Sequence, residues 1–326
     1  MKVKKVKHAI HLSPQQVGGS SCGAIIKCLE VEIMALKILE YPENLSDFFV
    51  KAIIIGFIYA ICIYGFRFVF QFLQVRPIPG NPLLGFVLEI IAGVILALVL
   101  GFVSIRFTFP FVTRSIFVFS ILFIIGYANN IVELLFYSTT PIYVFYHDFA
   151  FTLATHIVTA AVIALLFPPL HDTDSALTQL KNFFSGHSTT WWIFRVFIAG
   201  ALYFPIYFAF GLIVSPIVVP YYTDPALGLE LTIPGFEVMI PLGIARGIVY
   251  VLVLISPMAM AKLEKWKLVL YLTAILAGVG AIAGFIPLQL WPIALRVTHG
   301  LEITADSFFH SLVIVKVLDK FSKEEA

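Results

Sequence analysis

Charge is what this chain has least of. Only 12% of its 326 residues are Asp, Glu, Lys or Arg, about half the share of an ordinary soluble domain. Cysteine is scarcer still, with three residues in all. Cys22 and Cys28 are spaced C-x5-C with no second pair, and Cys62 lies in an apolar run. Neither a disulfide framework nor a zinc ribbon follows from that pattern. A phosphate loop, a dinucleotide fingerprint, an H-E-x-x-H pair and a Ser or Cys nucleophile motif are all missing, which removes the commonest enzyme signatures. A net charge of +2 is too small to point to nucleic acid. The basic residues Lys2, Lys4, Lys5 and Lys7 have no apolar stretch of the required length behind them. Met1–Ser20 therefore reads as a basic tail rather than a cleavable signal.

What fills the chain instead is apolar sequence. The hydrophobic share is 60% and the mean hydropathy is +0.98. Runs of about twenty apolar residues recur, the length that spans a hydrocarbon core of ~30 Å. With no polar face for water, these runs predict an all-α integral membrane protein, a polytopic bundle of about eight transmembrane helices. The expected spans are 50–72, 83–104, 115–137, 149–168, 192–217, 238–260, 268–288 and 304–319. Pro205 and Pro216 predict a kink in the fifth; the eighth is the shortest, and seven spans with that last run as a partly exposed helix is the competing count. A single membrane domain over 48–320 follows, with a short tail at 321–326. Residues 1–47 form a basic tail followed by a helix at 24–41. There Lys27, Glu30, Lys37 and Glu40 gather on one side, as in a helix lying in the membrane interface. A start at Met34 is the competing reading of this region.

Loop charges give an orientation. Arg106, Arg114, Lys181, Arg195, Lys262, Lys265, Lys267, Lys316, Lys320 and Lys323 all fall on one side, as do the N-terminal lysines. The opposite loops carry only Arg76 and Arg296. The positive-inside rule then puts both termini in the cytoplasm, with the cell membrane as the expected location. Gly243-x-x-x-Gly247 and Gly280-x-x-x-Gly284 predict close helix packing within the bundle. The segment 175–184 predicts a short amphipathic helix on the cytoplasmic side. Leu229-Glu-Leu-Thr-Ile233 alternates in the outer loop, as a segment folded over the outer mouth would.

The few ionisable residues inside the spans are the pointers to function, because a charge in hydrocarbon is costly and seldom accidental. His299, Glu302, Asp306 and His310 recur at three- and four-residue spacing. They share one face if the last helix begins before His299; a start at Thr304 pairs only Asp306 with His310. Asp148, Thr152 and His156 recur every four residues on the fourth span. Asn129, Asn130 and Glu133 share the outer half of the third. Glu89, Arg246 and Arg67 complete the set. A structural account pairs Arg246 with Glu89 or Glu133 and lets Arg67 reach the interface.

Three functional readings compete. In the first, the outer-side cluster transports or handles a small anionic or lipid-linked solute. Glu89, Asn129, Asn130, Glu133 and Arg246 bind ion or substrate, with Arg246 holding the anion. In the second, Asp148, His156, Glu302, Asp306 and His310 hold a divalent transition metal that activates water against a lipid. In the third, the protein is a non-catalytic scaffold or assembly partner. The bilayer is the one partner common to all three.

Overall fold

A computed structural model describes residues 44–69, 80–138, 142–170, 176–222, 224 and 231–318. The basic tail, the interfacial helix expected at 24–41, Cys22, Cys28 and Asp174 lie outside these residues. The described chain is helical throughout, and no strand occurs in it. Helices α1 (Leu45–Val69), α2 (Pro82–Ser104), α3 (Phe111–Tyr137) and α4 (Ile142–Leu166) come first. A short helix α5 (Ala176–Phe184) precedes α6 (Thr189–Ala201) and α7 (Tyr203–Tyr222). The last three are α8 (Phe236–Ala261), α9 (Lys265–Phe285) and α10 (Ile293–Leu318).

Seven segments are long and apolar enough to cross a membrane: α1, α2, α3, the Asp148–Leu166 part of α4, α6 and α7 together, α8 and α9. The protein is an all-α polytopic membrane bundle. α10 falls outside this group because Arg296, Glu302, Asp306 and Lys316 interrupt its apolar run. It is nevertheless 26 residues long, ~39 Å at 1.5 Å per residue. It packs against α6, α7 and α9.

Local chemistry sets the helix limits. The Asn44 carboxamide oxygen accepts from Ser46 N at 3.1 Å and starts α1. The Asn81 carboxamide oxygen accepts from Leu83 N and Leu84 N, with Pro82 in the first turn of α2, the position where a missing N–H does least harm. Ser188 caps α6 through Trp191 N. The fifth expected span is broken rather than bent: α6 ends at Ala201 and α7 begins at Tyr203. Pro205 has no N–H to offer the Ala201 carbonyl, so the helix cannot run straight through.

Packing rests on small residues where helices meet. Gly56 of α1 and Gly93 of α2 lie against each other, and a Cβ on Gly93 would come within 2.9 Å of the Gly56 Cα. A Cβ on Gly247 would overlap the Gly200 carbonyl oxygen, and one on Gly243 would meet the Phe204 ring at 2.7 Å. Gly243-x-x-x-Gly247 thus seats α8 against α6 and α7 within the bundle. Of the other expected pair, a Cβ on Gly280 would come within 3.3 Å of the Ile125 side chain of α3, while Gly284 faces open space.

Two helices depart from α geometry. Residues Ile124–Ala128 of α3 and Ala274–Ile282 of α9 are π-helical. The two stretches touch each other, with Gly126 against Val279. The Asn130 side chain ties them, donating to the Gly126 carbonyl at 3.1 Å and the Gly280 carbonyl at 3.0 Å. α9 is the most enclosed of the seven spans.

The two ends of the bundle differ in charge. Arg106, Arg114, Lys181, Arg195, Lys262, Lys265, Lys267 and Lys316 sit at one end, the basic face. Arginines near helix ends are largely occupied with carbonyls. Arg114 donates to Phe109 O and Ala164 O, Arg195 to Val317 O, and Arg296 to Ile286 O. At the opposite face, Thr232 N donates to Tyr137 O, and Leu231 bridges Ser138. The described part of the 218–237 connection therefore folds back onto the Tyr137 end of α3.

Candidate functional site

The polar residues of α3, α7, α8 and α10 converge on Arg246. This residue lies near the midpoint of α8 and is 5% exposed. An Arg at such depth must find partners, at ~2.5–3.5 kcal/mol on insertion scales even when it does. Its Nη2 pairs with Glu133 Oε2 of α3 at 2.7 Å. The Tyr207 hydroxyl of α7 donates to the other carboxylate oxygen at 3.0 Å. The rings of Tyr203 and Tyr207 lie 5.7 and 5.5 Å from the guanidinium carbon, within cation–π range. Arg246 Nε is buried and makes no hydrogen bond.

The π turn of α3 ends where the site begins. Asn129 follows it directly and donates through its carboxamide to the Tyr250 hydroxyl of α8. Tyr250 is four residues beyond Arg246, on the same face of α8. Its ring stands edge-on to Tyr203 at 5.2 Å.

α10 supplies the other carboxyls. Because the helix begins at Ile293, His299, Glu302, Asp306 and His310 all share one face, and Thr304 is an interior residue donating to Gly300 O rather than a cap. His299 Nδ1 meets Glu302 Oε2 at 2.8 Å, and its Nε2 meets the Tyr222 hydroxyl at 3.1 Å. Gly211 of α7 leaves the space in which Glu302 lies. One turn deeper, Asp306 is 1% exposed and interacts electrostatically with Arg246, Glu133 and Glu302. Its Oδ1 accepts from the Ser307 hydroxyl at 3.4 Å, while Oδ2 makes no hydrogen bond. His310 is fully buried. Its Nε2 bonds the Ala199 carbonyl at 3.1 Å, its ring lies 5.0 Å from Tyr203, and its Nδ1 makes no hydrogen bond.

The residues expected to bind substrate or metal therefore divide. Asn129, Glu133, Arg246, Glu302, Asp306 and His310 come together. Asn130 points away from this centre and holds the two π stretches. Glu89 interacts with Arg67 of α1 rather than with Arg246. Asp148 and His156 lie along α4, where His156 is ringed by Phe123 and Tyr127 of α3. Among the described residues, no three His, Cys, Asp or Glu side chains are grouped as metal ligands. The five residues expected to hold a metal thus do not form one ligand set, because α4 and α10 pack on different neighbours.

Tyr203, Tyr207 and Tyr250 were not singled out from the sequence, where tyrosine reads first as an interfacial residue. The usable signal was their position. Tyr203 and Tyr207 are four apart in mid-span, and Tyr250 follows Arg246 by four. Comparison with known families, with characterised proteins and with solved structures finds no match to this chain.

Proposed function

We propose that this protein is a transporter of a small anionic or lipid-linked solute, with Arg246 as its anion site and Asp306 as the carrier of a coupling proton. α10 is the eighth crossing. Both termini lie in the cytoplasm with the basic face, and the cell membrane is the host bilayer.

One observation carries the reading: the centre holds more charge than its ion pair requires. Arg246 and Glu133 neutralise each other, and a structural role explains both. It does not explain Asp306, which stands beside them in the membrane interior with a carboxyl oxygen free of hydrogen bonds. Nor does it explain Glu302 and His310 on the same face. Ionisable groups placed this way are the usual parts of ion and proton pathways. The unbonded Nε of Arg246 and the flanking Tyr rings suit a carboxylate or phosphate group.

The test is purified protein in liposomes loaded with a pH-sensitive dye, offered a panel of small carboxylates and phosphate monoesters. A solute-dependent internal pH change is expected, abolished in Asp306→Asn and weakened in Arg246→Lys. Solute uptake that proceeds undiminished in both variants would falsify the reading.

A further inference from the structure

α4 carries a second run of polar residues, buried from Thr152 onward and half-buried at Asp148, that the Arg246 centre does not use. Asp148, Thr152, Thr155, His156 and Thr159 fall within one arc of about 100° on that helix. Thr155 and Thr159 are fully enclosed, and His156 is 5% exposed. Thr155 and Thr159 lie ~10 and ~16 Å along the helix from Asp148, in the middle of the span. The neighbours of this helix include α1 and α3. From α3, the rings of Phe123 and Tyr127 stand edge-on to His156 at 6.1 and 6.2 Å. From α1, Arg67 lies 4.6 Å above the Phe151 ring, its buried Nε without a hydrogen bond.

Several hydroxyls elsewhere in the bundle turn back onto their own helix, while Ser104 donates to Phe167 O and the enclosed Ser311 of α10 stands alone without a partner. Ser115, Ser120, Thr273 and Thr304 each donate to the carbonyl four residues earlier, at 2.6–2.8 Å. That bond is the ordinary way to satisfy a hydroxyl in a lipid-embedded helix. Thr155 and Thr159 do otherwise. Their Oγ1 atoms, and Nδ1 of His156, make no hydrogen bond to the protein although each is buried. Three enclosed polar atoms within about one turn of helix thus have unused hydrogen-bonding capacity along one arc of α4, which a dry apolar interior disfavours.

We infer that the inner face of α4 binds a file of water molecules, a hydrated half-channel running from the Asp148–Arg67 end to Thr159. The lining selects water over ions. Hydroxyl and imidazole groups both donate and accept, and between Thr152 and Thr159 the helix carries no carboxylate, Lys or Arg. The charged groups at the mouth are Asp148, Arg67 and Glu89, which interacts with Arg67, and all of them lie before the stretch from Thr152 to Thr159. Ile163, in the same arc and fully buried, ends the polar run. Beyond it the Ala164 carbonyl is already taken by Arg114 at 2.7 Å. The inference needs nothing from the Arg246 centre and stands whether or not the protein transports a solute.

Thiol reactivity tests it in the full chain with Cys22, Cys28 and Cys62 replaced by Ala. A thiol reacts as the thiolate, which forms in water and not in lipid or a dry core. A cysteine placed by Thr155→Cys or Thr159→Cys should react with a cationic methanethiosulfonate at least about tenfold faster than controls in dry core (Ile163→Cys) and facing lipid (Ile157→Cys). Equal rates overturn the inference. If a cysteine variant does not fold, the Thr155→Val/Thr159→Val double variant decides. Valine keeps the shape and removes both hydroxyls. A hydrated site loses its water bonds, and Tm falls by about 2 °C or more. A Tm that holds or rises means two hydroxyls were buried dry, and the half-channel is wrong.

Discussion

α3 borders two polar regions that solve the same problem differently. Toward α7, α8 and α10 it meets charges, and Glu133 is locked to Arg246. Toward α4 it meets hydroxyls and an imidazole, and it offers them aromatic rings. A charge in a low-dielectric interior must be paired, because leaving it alone costs far more than leaving a hydroxyl alone. The Arg246–Glu133 pair is accordingly knit together across helices, although Arg246 Nε, Asp306 Oδ2 and His310 Nδ1 around it make no hydrogen bond; the open capacity of the α4 stripe is on hydroxyls and an imidazole alone. The contrast teaches that burial by itself says little about a polar residue here. What its partners leave unused says more.

The comparison breaks most severely if one charge is removed. Arg246→Met strands the Glu133 carboxylate and should cost ~3–5 kcal/mol. Adding Glu133→Leu should restore most of that loss, as a double-mutant cycle of thermal unfolding in detergent would reveal. A double variant no more stable than Arg246→Met would mean that the ion pair is not what holds the centre. The next largest effect is steric. Gly247→Val drives a side chain into the Gly200 carbonyl and should cost ~1–3 kcal/mol. It also presses on Tyr203, whose Cβ a Cβ at Gly247 would meet at 2.5 Å, and the lower Tm is read by thermal unfolding in detergent. Smallest is Asn130→Ala, which releases two carbonyls between the π stretches. About 1 kcal/mol is expected, in the range of single interhelical bonds in membranes. Hydrogen exchange should rise in α3 and α9 and stay level in α4; a uniform rise would point to global loosening instead.

Much of this was legible in the sequence because bilayer physics leaves long, plain marks. The apolar runs located the helices, and the glycines of α8 announced a close contact within the bundle, though not that its partners are α6 and α7. Ambiguity about the last helix came from its composition. Glu302 and Asp306 break the hydropathy signal that would have extended the span back to Ile293, and only neighbours that bury those groups let the helix continue. The meeting of Glu133 with Arg246 was one of two pairings the spacing allowed, and depth alone could not choose between Glu89 and Glu133. Nothing in Ile124–Ala128 or Ala274–Ile282 marks a π turn, since its cause is the fit of one helix against another. The tyrosines at 203, 207 and 250 carried no mark of their own for a related reason: the same ring serves at an interface and beside a buried guanidinium.

The π turn of α3 has a consequence for length changes in this helix. A π turn holds one residue more than the α turn it replaces. Deleting a single residue, such as Ile125, would let α3 relax into uninterrupted α-helix with better hydrogen bonding. Because the extra residue is absorbed within the π turn, everything beyond it would keep its face, with Glu133 still toward Arg246 and Asn129 toward Tyr250. The same deletion in an α-helical part of α3, such as Val118, would turn everything beyond it by ~100° and carry Glu133 away from Arg246. The π turn is thus where α3 tolerates a change of length that its regular turns do not.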